Sequence, residues 1–206
     1  HAEFIQTAST FVGAPGALSP SPALIGAGIK AGDAAGDQPP VLIRKVFRKV
    51  PRMASPFTNS LSILAKARFP ILYVETFEER RALAAIQSAL GEGEQLSSPR
   101  PVHTWSITTG LVDPEGRETP GTTDPLRALD AAQRTDRAAT FVFLDLHAHL
   151  GDGARPADPA IVRKLRELST DFQNGPRPRT LVIVAPALRI PPELEKEIHI
   201  LDFPLP

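Results

Sequence analysis

The sequence predicts a three-layer α/β domain on a five-stranded, mainly parallel sheet, preceded by an extended N-terminal arm. Three observations carry this. From residue 61 onward, apolar runs of strand length alternate with segments of helical period. The runs PILYVET (70–76), TFVFLDL (140–146) and TLVIVAP (180–186) are apolar throughout, as strands buried on both faces are. Composition also changes near residue 60: Pro, Gly, Ala, Ser and Thr supply 31 of the first 60 residues.

The expected division is an arm over 1–60 and a folded body over 61–206. Residues 1–40 carry four charges, Glu3, Lys30, Asp33 and Asp37, and no apolar period. Such a segment buries too little apolar surface to offset the entropy of ordering it. The stretch 41–52, VLIRKVFRKVPR, is different, with five positive charges and no negative one. Leu42, Val46 and Val50 recur every four residues, as do Ile43 and Phe47, which describes a short basic amphipathic helix ended by Pro51. The same stretch also half-fits a strand, and both readings stay open. Leu42, Arg44, Lys45, Phe47, Arg48 and Lys49 are the candidate partner-docking residues. A solvated basic face resting on the body is the plainer alternative.

In the body, Asn59 or Ser60 is expected to cap a first helix to about Arg68, with Leu61, Leu64 and Ala65 inward. The strand 70–76 follows. Thr76 and Glu79 then form a T-x-x-E capping box opening a helix over 77–90 that turns Leu83, Ile86 and Leu90 inward and stops at Gly91. VHTWSI (102–107) is the second strand, and 108–123 reads as a Gly-, Pro- and Thr-rich loop. Asp124-Pro125 opens a helix to about Arg137, and the third strand spans 140–146. Asp158-Pro159 opens another helix with Ile161, Leu165, Leu168 and Phe172 inward. The fourth strand spans 180–186, a short helix follows Pro191-Pro192, and IHILDF (198–203) is the fifth strand. Right-handed crossovers between parallel strands place helices on both sides of such a sheet.

Several functions are excluded or weakened at once. The chain has no cysteine, so disulfides, thiol nucleophiles and cysteine-ligated metals are ruled out. Twenty-three basic residues balance 23 acidic ones, leaving no global electrostatic case for nucleic acid. No apolar run reaches membrane-spanning length and no signal peptide is evident, so a cytoplasmic location is expected. The chain opens on His1 rather than Met, as a fragment or processed chain does.

Three kinds of chemistry bear on such a sheet. Asp145-x-His147-x-His149 at a strand end has the spacing of a metal-binding strand, the basis for a metal-dependent hydrolase as the alternative function. Only 57 residues follow His149, far too few for the ~250-residue barrel that usually carries this motif. For nucleotides, no G-x-x-x-x-G-K-[ST] occurs, and Glu78 and Glu79 occupy the helix end a phosphate would need. FVFLD ends in Asp145 like a metal-holding ATPase strand, but Leu146 stands where such an enzyme needs a glutamate. No G-x-S-x-G elbow exists. Ser106, His103 and Trp105 read as strand and core residues, and Glu193/Glu195 as a solvated face.

Taken in order, ARFPILYVETFEERRALAAI, VHTWSITTGLVDPEG, DPLRALDAA, FVFLDLHAHL, IVRKLRELSTDF and especially APALRIPPELEKEIHILDFPLP resemble the N-terminal domain of an AAA+ ATPase family of cyanobacteria and algal plastids. The resemblance covers about residues 61–206. It implies a degenerate RecA/AAA-like module without a phosphate loop, with ATP and Mg handled by a second, C-terminal module. No catalytic, cofactor or metal residue is carried over to this chain. The expected role is partner or client binding and assembly of the ATPase, with a homo-oligomeric parent. A purely structural oligomerisation module is the third alternative.

Overall fold

The computed structural model describes residues 55–92, 96 and 98–204. All of them lie in the compact unit Val50–Pro206. The basic segment 41–52 and its docking candidates lie outside the described residues.

The order is α1 (Pro56–Lys66), β1 (Ile71–Glu75), α2 (Glu79–Ile86) continuing as a π-turn (Gln87–Gly91), β2 (Val102–Ser106), β3 (Gly110–Val112), β4 (Glu118–Thr119), α3 (Pro125–Arg134), β5 (Ala139–Leu144), a 3₁₀ turn (Leu146–His149), α4 (Pro159–Asn174), β6 (Arg179–Ala185), a 3₁₀ turn (Pro192–Leu194) and β7 (Ile198–Leu201). The sheet runs β4-β3-β2-β5-β6-β1-β7. The five expected strands are β1, β2, β5, β6 and β7, and every pairing among them is parallel.

The chain moves one way along the sheet from β1 to β2, and the other way from β2 through β5 and β6 to β7. With right-handed crossovers, opposite directions put the helices on opposite faces. One apolar cluster joins α1 and α2 to Leu72, Val74, Val182 and Val184. The other joins α3 and α4 to Ile71, Tyr73, Leu181 and Ile183. Alternate residues of one strand thus serve alternate layers, which is why these strands read as unbroken apolar runs.

The sheet has seven strands rather than five. The expected loop after β2 holds an antiparallel hairpin, with β3 pairing β2 and β4 pairing β3. Its anchor is Thr122, whose hydroxyl accepts the Leu111 N–H at 2.8 Å and donates to the Thr119 carbonyl at 2.6 Å. Trp105 Nε1 donates to the Thr122 carbonyl at 2.6 Å. Strands of three and two residues are too short to show a period, so only this tertiary anchor identifies them.

Two helix starts also differ. α1 begins at Pro56, not after Asn59 or Ser60; Ser55 Oγ accepts the Thr58 N–H at 3.2 Å, and Phe57 is buried in the core. α2 lacks the expected capping box: Thr76 Oγ1 accepts the N–H of Glu78 at 3.0 Å instead, and the α-helical part ends at Ile86. The Asp-Pro starts stand as expected. Asp124 Oδ1 accepts from Arg127 N at 2.8 Å, and Asp158 Oδ1 from Ala160 N at 2.9 Å. Ile161, Leu165, Leu168 and Phe172 are all buried.

Two buried arginines serve helix ends. Arg100 donates to the Ala65 carbonyl in the last turn of α1 at 2.8 Å and to Thr180 Oγ1 at 3.2 Å. Arg179 donates to the Gln133 and Thr135 carbonyls at the end of α3 at 2.7 and 2.9 Å. Both place a cation where a helix leaves its carbonyls unpaired and its dipole negative.

Phe57 lies upstream of the expected boundary yet inside the core. Phe57→Ala is expected to destabilise the chain by about 3–5 kcal/mol in urea unfolding. A change under about 1 kcal/mol would mean that α1 adds little to the folded body.

Candidate functional site

In open parallel sheets, ligands bind beyond the carboxyl ends of the strands, where neighbouring connections leave toward opposite faces. Here that point lies between β1 and β6, which are adjacent but feed opposite directions. The crevice is filled by the protein itself. Glu75 Oε1 accepts the Leu188 N–H at 3.2 Å. The Tyr73 hydroxyl donates to the Ala187 carbonyl at 2.6 Å and accepts the Arg189 N–H at 3.3 Å. Burial pushes the Tyr73 phenol up to about 12, so it holds its proton and keeps this latch in place.

The β1–α2 connection is three residues long, Thr76–Glu78. A phosphate cradle needs free backbone N–H groups at a helix start. Thr76 Oγ1 already takes the N–H of Glu78, and the carboxylates of Glu75, Glu78 and Glu79 stand around the same end. A nucleoside triphosphate does not fit these residues. Phe77, in the middle of the connection, is 88% exposed.

At the end of β5, Asp145 sits in the left-handed region at φ 57°. That turn drives Leu146 fully into the core, so the position where an ATPase keeps its glutamate is spent on packing. The histidines follow directly after this turn. They lie on a 3₁₀ turn, and both border one shallow cavity with Asp152 and Asp158. His147 Nδ1 is 3.7 Å from Asp145 Oδ1, too long for a hydrogen bond. Among the described residues no group of three or more His, Cys, Asp or Glu side chains is placed to hold a metal.

Elsewhere on the sheet, Trp105 is buried and stacks on Phe143 at 5.0 Å, while His103 is half-buried with its ring 5.1 Å from Phe141. Burial lowers the His103 pKa, opposed by the charges of Asp113 and Glu115. Ser106 hydrogen-bonds Thr108 and Thr109 at 2.9 and 2.8 Å, closing the β2–β3 turn. Lys164 on α4 reaches α3, pairing with Asp130 and donating to Gln133 at 2.5 Å.

The groove that does stay open lies next to this crevice, beyond β5 and β6. It has a volume of about 850 Å³, between the loop 150–157, the first turns of α4 and the loop 188–193. Its arginines, Arg155, Arg163, Arg166 and Arg189, come from three separate segments of the chain.

The family described as "SpoVK-like AAA ATPase, N-terminal domain" matches residues 57–203. The chain belongs to that family. Among similar proteins, the "Uncharacterized AAA domain-containing protein ycf46" of Guillardia theta is 33% identical over 152 residues. Its namesakes in Trieres chinensis and Pyropia yezoensis are 30% and 26% identical over the same length. Each match covers 73% of this chain and 28% of the relative, so the chain spans little more than a quarter of these AAA proteins. No solved structure matches. Among the described residues no helix is long and apolar enough to cross a membrane.

Two predictions follow from the latch and from β2. Tyr73→Phe leaves the Ala187 carbonyl without its donor and is expected to cost about 1–3 kcal/mol. The raised folded pKa adds a pH signature. The stabilisation is complete below about pH 10, the phenol's ordinary value, and is lost as pH rises through the folded value of about 12. Tyr73→Phe should lack this alkaline loss in denaturant titrations.

For His103 the sign is reversed. Its lowered folded pKa means that the unfolded chain binds the proton first, so stability is full above about pH 6.5 and falls as pH drops below it. His103→Gln should flatten that acid limb; an unchanged limb would assign it to other groups.

Proposed function

We propose that this chain is the non-catalytic N-terminal module of an AAA ATPase, working in the cytoplasm, that binds a partner or client and helps assemble the ATPase. The observation that carries the reading is the three-residue β1–α2 connection. It keeps the RecA/AAA-like sheet while Thr76 and Glu78 use up the one place where that sheet would hold a phosphate. A sheet stripped of its phosphate loop has binding left as its work. ATP and Mg belong to the remaining length of proteins like the ycf46 relatives, and the parent is a homo-oligomer.

The arm is the proposed docking element. Leu42 and Phe47 would offer the apolar contact and Arg44, Lys45, Arg48 and Lys49 the charge, favouring an acidic receiver and making docking salt-sensitive. A peptide of this length does not hold a helix alone, so a receiving surface must supply the stabilisation.

Two measurements test the proposal. Calorimetric titration of the chain with Mg-ATP should give no binding; a micromolar dissociation constant, about 8 kcal/mol, would overturn the non-catalytic reading. A chain starting at Ser55, and the variant R44E/K45E/R48E/K49E, should melt like the full chain but lose its association by light scattering, alone or mixed with the parent ATPase. If neither change alters association, the arm is only a linker.

A further inference from the structure

The groove beyond β5 and β6 has an apolar floor and a basic rim. Leu188 is exposed and Ile190 half-buried along the floor, with the core residues Leu150 and Val162 beneath them. Around it stand Arg155 on the loop after the 3₁₀ turn, Arg163 and Arg166 on α4, and Arg189 on the β6–β7 loop, against the carboxylates of Asp152 and Glu193.

The walls are fixed before anything binds. Asp152 Oδ1 accepts the N–H groups of Ala154 and Arg155 at 3.0 and 2.8 Å. Gly151 sits at φ +82°, where an added Cβ would come within 2.8 Å of Ala157 N. Opposite, the 188–193 loop is held by Glu75 and Tyr73 and stiffened by Pro191 and Pro192. A wall ordered in advance spares a ligand the cost of ordering it.

The charges are arranged as well. The Asp152 carboxyl is held below the usual range, first by the Arg155 N–H and then by Ala154 and the charges of Arg155 and Arg189, so it stays ionised beside them. Arg163 pairs with Glu167 at 2.9 Å, and Arg166 lies 3.8 Å from Glu197. Among the described residues Arg189 makes no side-chain hydrogen bond or ion pair. Arg155 lies 3.6 Å from Asp152, so three of the four guanidiniums already pair with a carboxylate and, among the described residues, Arg189 is the one that does not.

We propose that this groove is a docking site for an acidic amphipathic peptide segment of a protein partner, its apolar side chains on Leu188 and Ile190 and its carboxylates facing Arg155, Arg163, Arg166 and Arg189. A segment with apolar residues on one face and carboxylates beside them matches both features at once. Arginine suits the role because its planar fork takes a carboxylate through two N–H groups. Single-stranded nucleic acid is the poorer fit, since the lining holds no aromatic side chain for bases to stack on. The inference rests on the partner-binding reading and names a surface for it that is separate from the basic arm.

The test is an NMR titration of the isotope-labelled full chain with a 16-residue helical peptide of leucine and glutamate, its lysine-for-glutamate counterpart and a thymidine oligonucleotide. The glutamate peptide should bind saturably, with shifts centred on Leu188 and Ile190. Affinity should fall at least about tenfold in R163E/R189E, a difference of about 1.4 kcal/mol. R163Q/R189Q, which introduces no new charge, should show a smaller loss in the same direction while melting like the parent chain. The lysine peptide should bind more weakly than the glutamate peptide. No saturation below about 1 mM, which is about 4 kcal/mol of binding, would overturn the proposal, as would tighter binding of the oligonucleotide. Binding that vanishes in R44E/K45E/R48E/K49E but survives in R163E/R189E would overturn the groove while leaving the arm reading standing. Loss of association in the arm variant with peptide binding intact would separate the two in the other direction.

Discussion

A parallel sheet covered on both faces has no solvated side on which to place polar residues, and every other feature of this molecule answers to that constraint. β6 shows it most fully. It pairs with β5 on one edge and β1 on the other, and all seven of its residues are buried. Its even- and odd-numbered side chains feed two separate apolar clusters, so neither helix layer closes a core without it. The polar groups this forces inside need partners. Arg100 and Arg179 meet that need by turning toward carbonyls at helix ends, and Arg179 also stacks over Phe172 at 4.7 Å.

The same sheet explains why the place for nucleotide chemistry is closed. In a doubly wound sheet the switch point is open by default, because connections leave it in opposite directions. Here Glu75 and Tyr73 bind the backbone of the 187–189 loop across that gap. The turn at Asp145 puts Leu146 into the core beside it. Two side chains, Glu75 and Tyr73, thus act as structural ties at the edge where an open sheet of this class would hold a ligand. That edge presents to solvent Phe77 and Leu188, the carboxylates of Glu75, Glu79 and Asp145, and the arginine-rimmed groove. The loop that fills the crevice also forms one wall of the groove.

The C-terminal end of the described chain is tied to the same body. Phe203 packs edge-on against Phe57 at 4.8 Å, and Arg81 lies over its ring at 4.3 Å while also bonding Glu78 and the Pro204 carbonyl. α1, α2 and the segment after β7 are therefore one packed unit, and movement of any of them is felt by the other two.

The sequence by itself determined whatever depends on local chemistry. The Asp124-Pro125 and Asp158-Pro159 starts, the α4 stripe of Ile161, Leu165, Leu168 and Phe172, and the five unbroken or alternating strand runs were all readable, because caps and periods act within a few residues. So was the lack of a phosphate loop between Tyr73 and Arg80. Ser55-Pro56 carried the same cap signal as the two Asp-Pro pairs, but it was hidden in a proline-rich stretch. Tertiary structure alone decided the rest. The strand order, the β3–β4 hairpin hung on Thr122 and the latch from Tyr73 to residues 187 and 189 join segments far apart in the chain. The left-handed turn at Asp145, which ends β5 and starts the 3₁₀ turn carrying His147 and His149, also had no local signal. The basic groove was illegible for a similar reason: Arg155, Arg163, Arg166 and Arg189 look like ordinary solvated charges until the crossovers of a buried sheet bring their three segments to one edge.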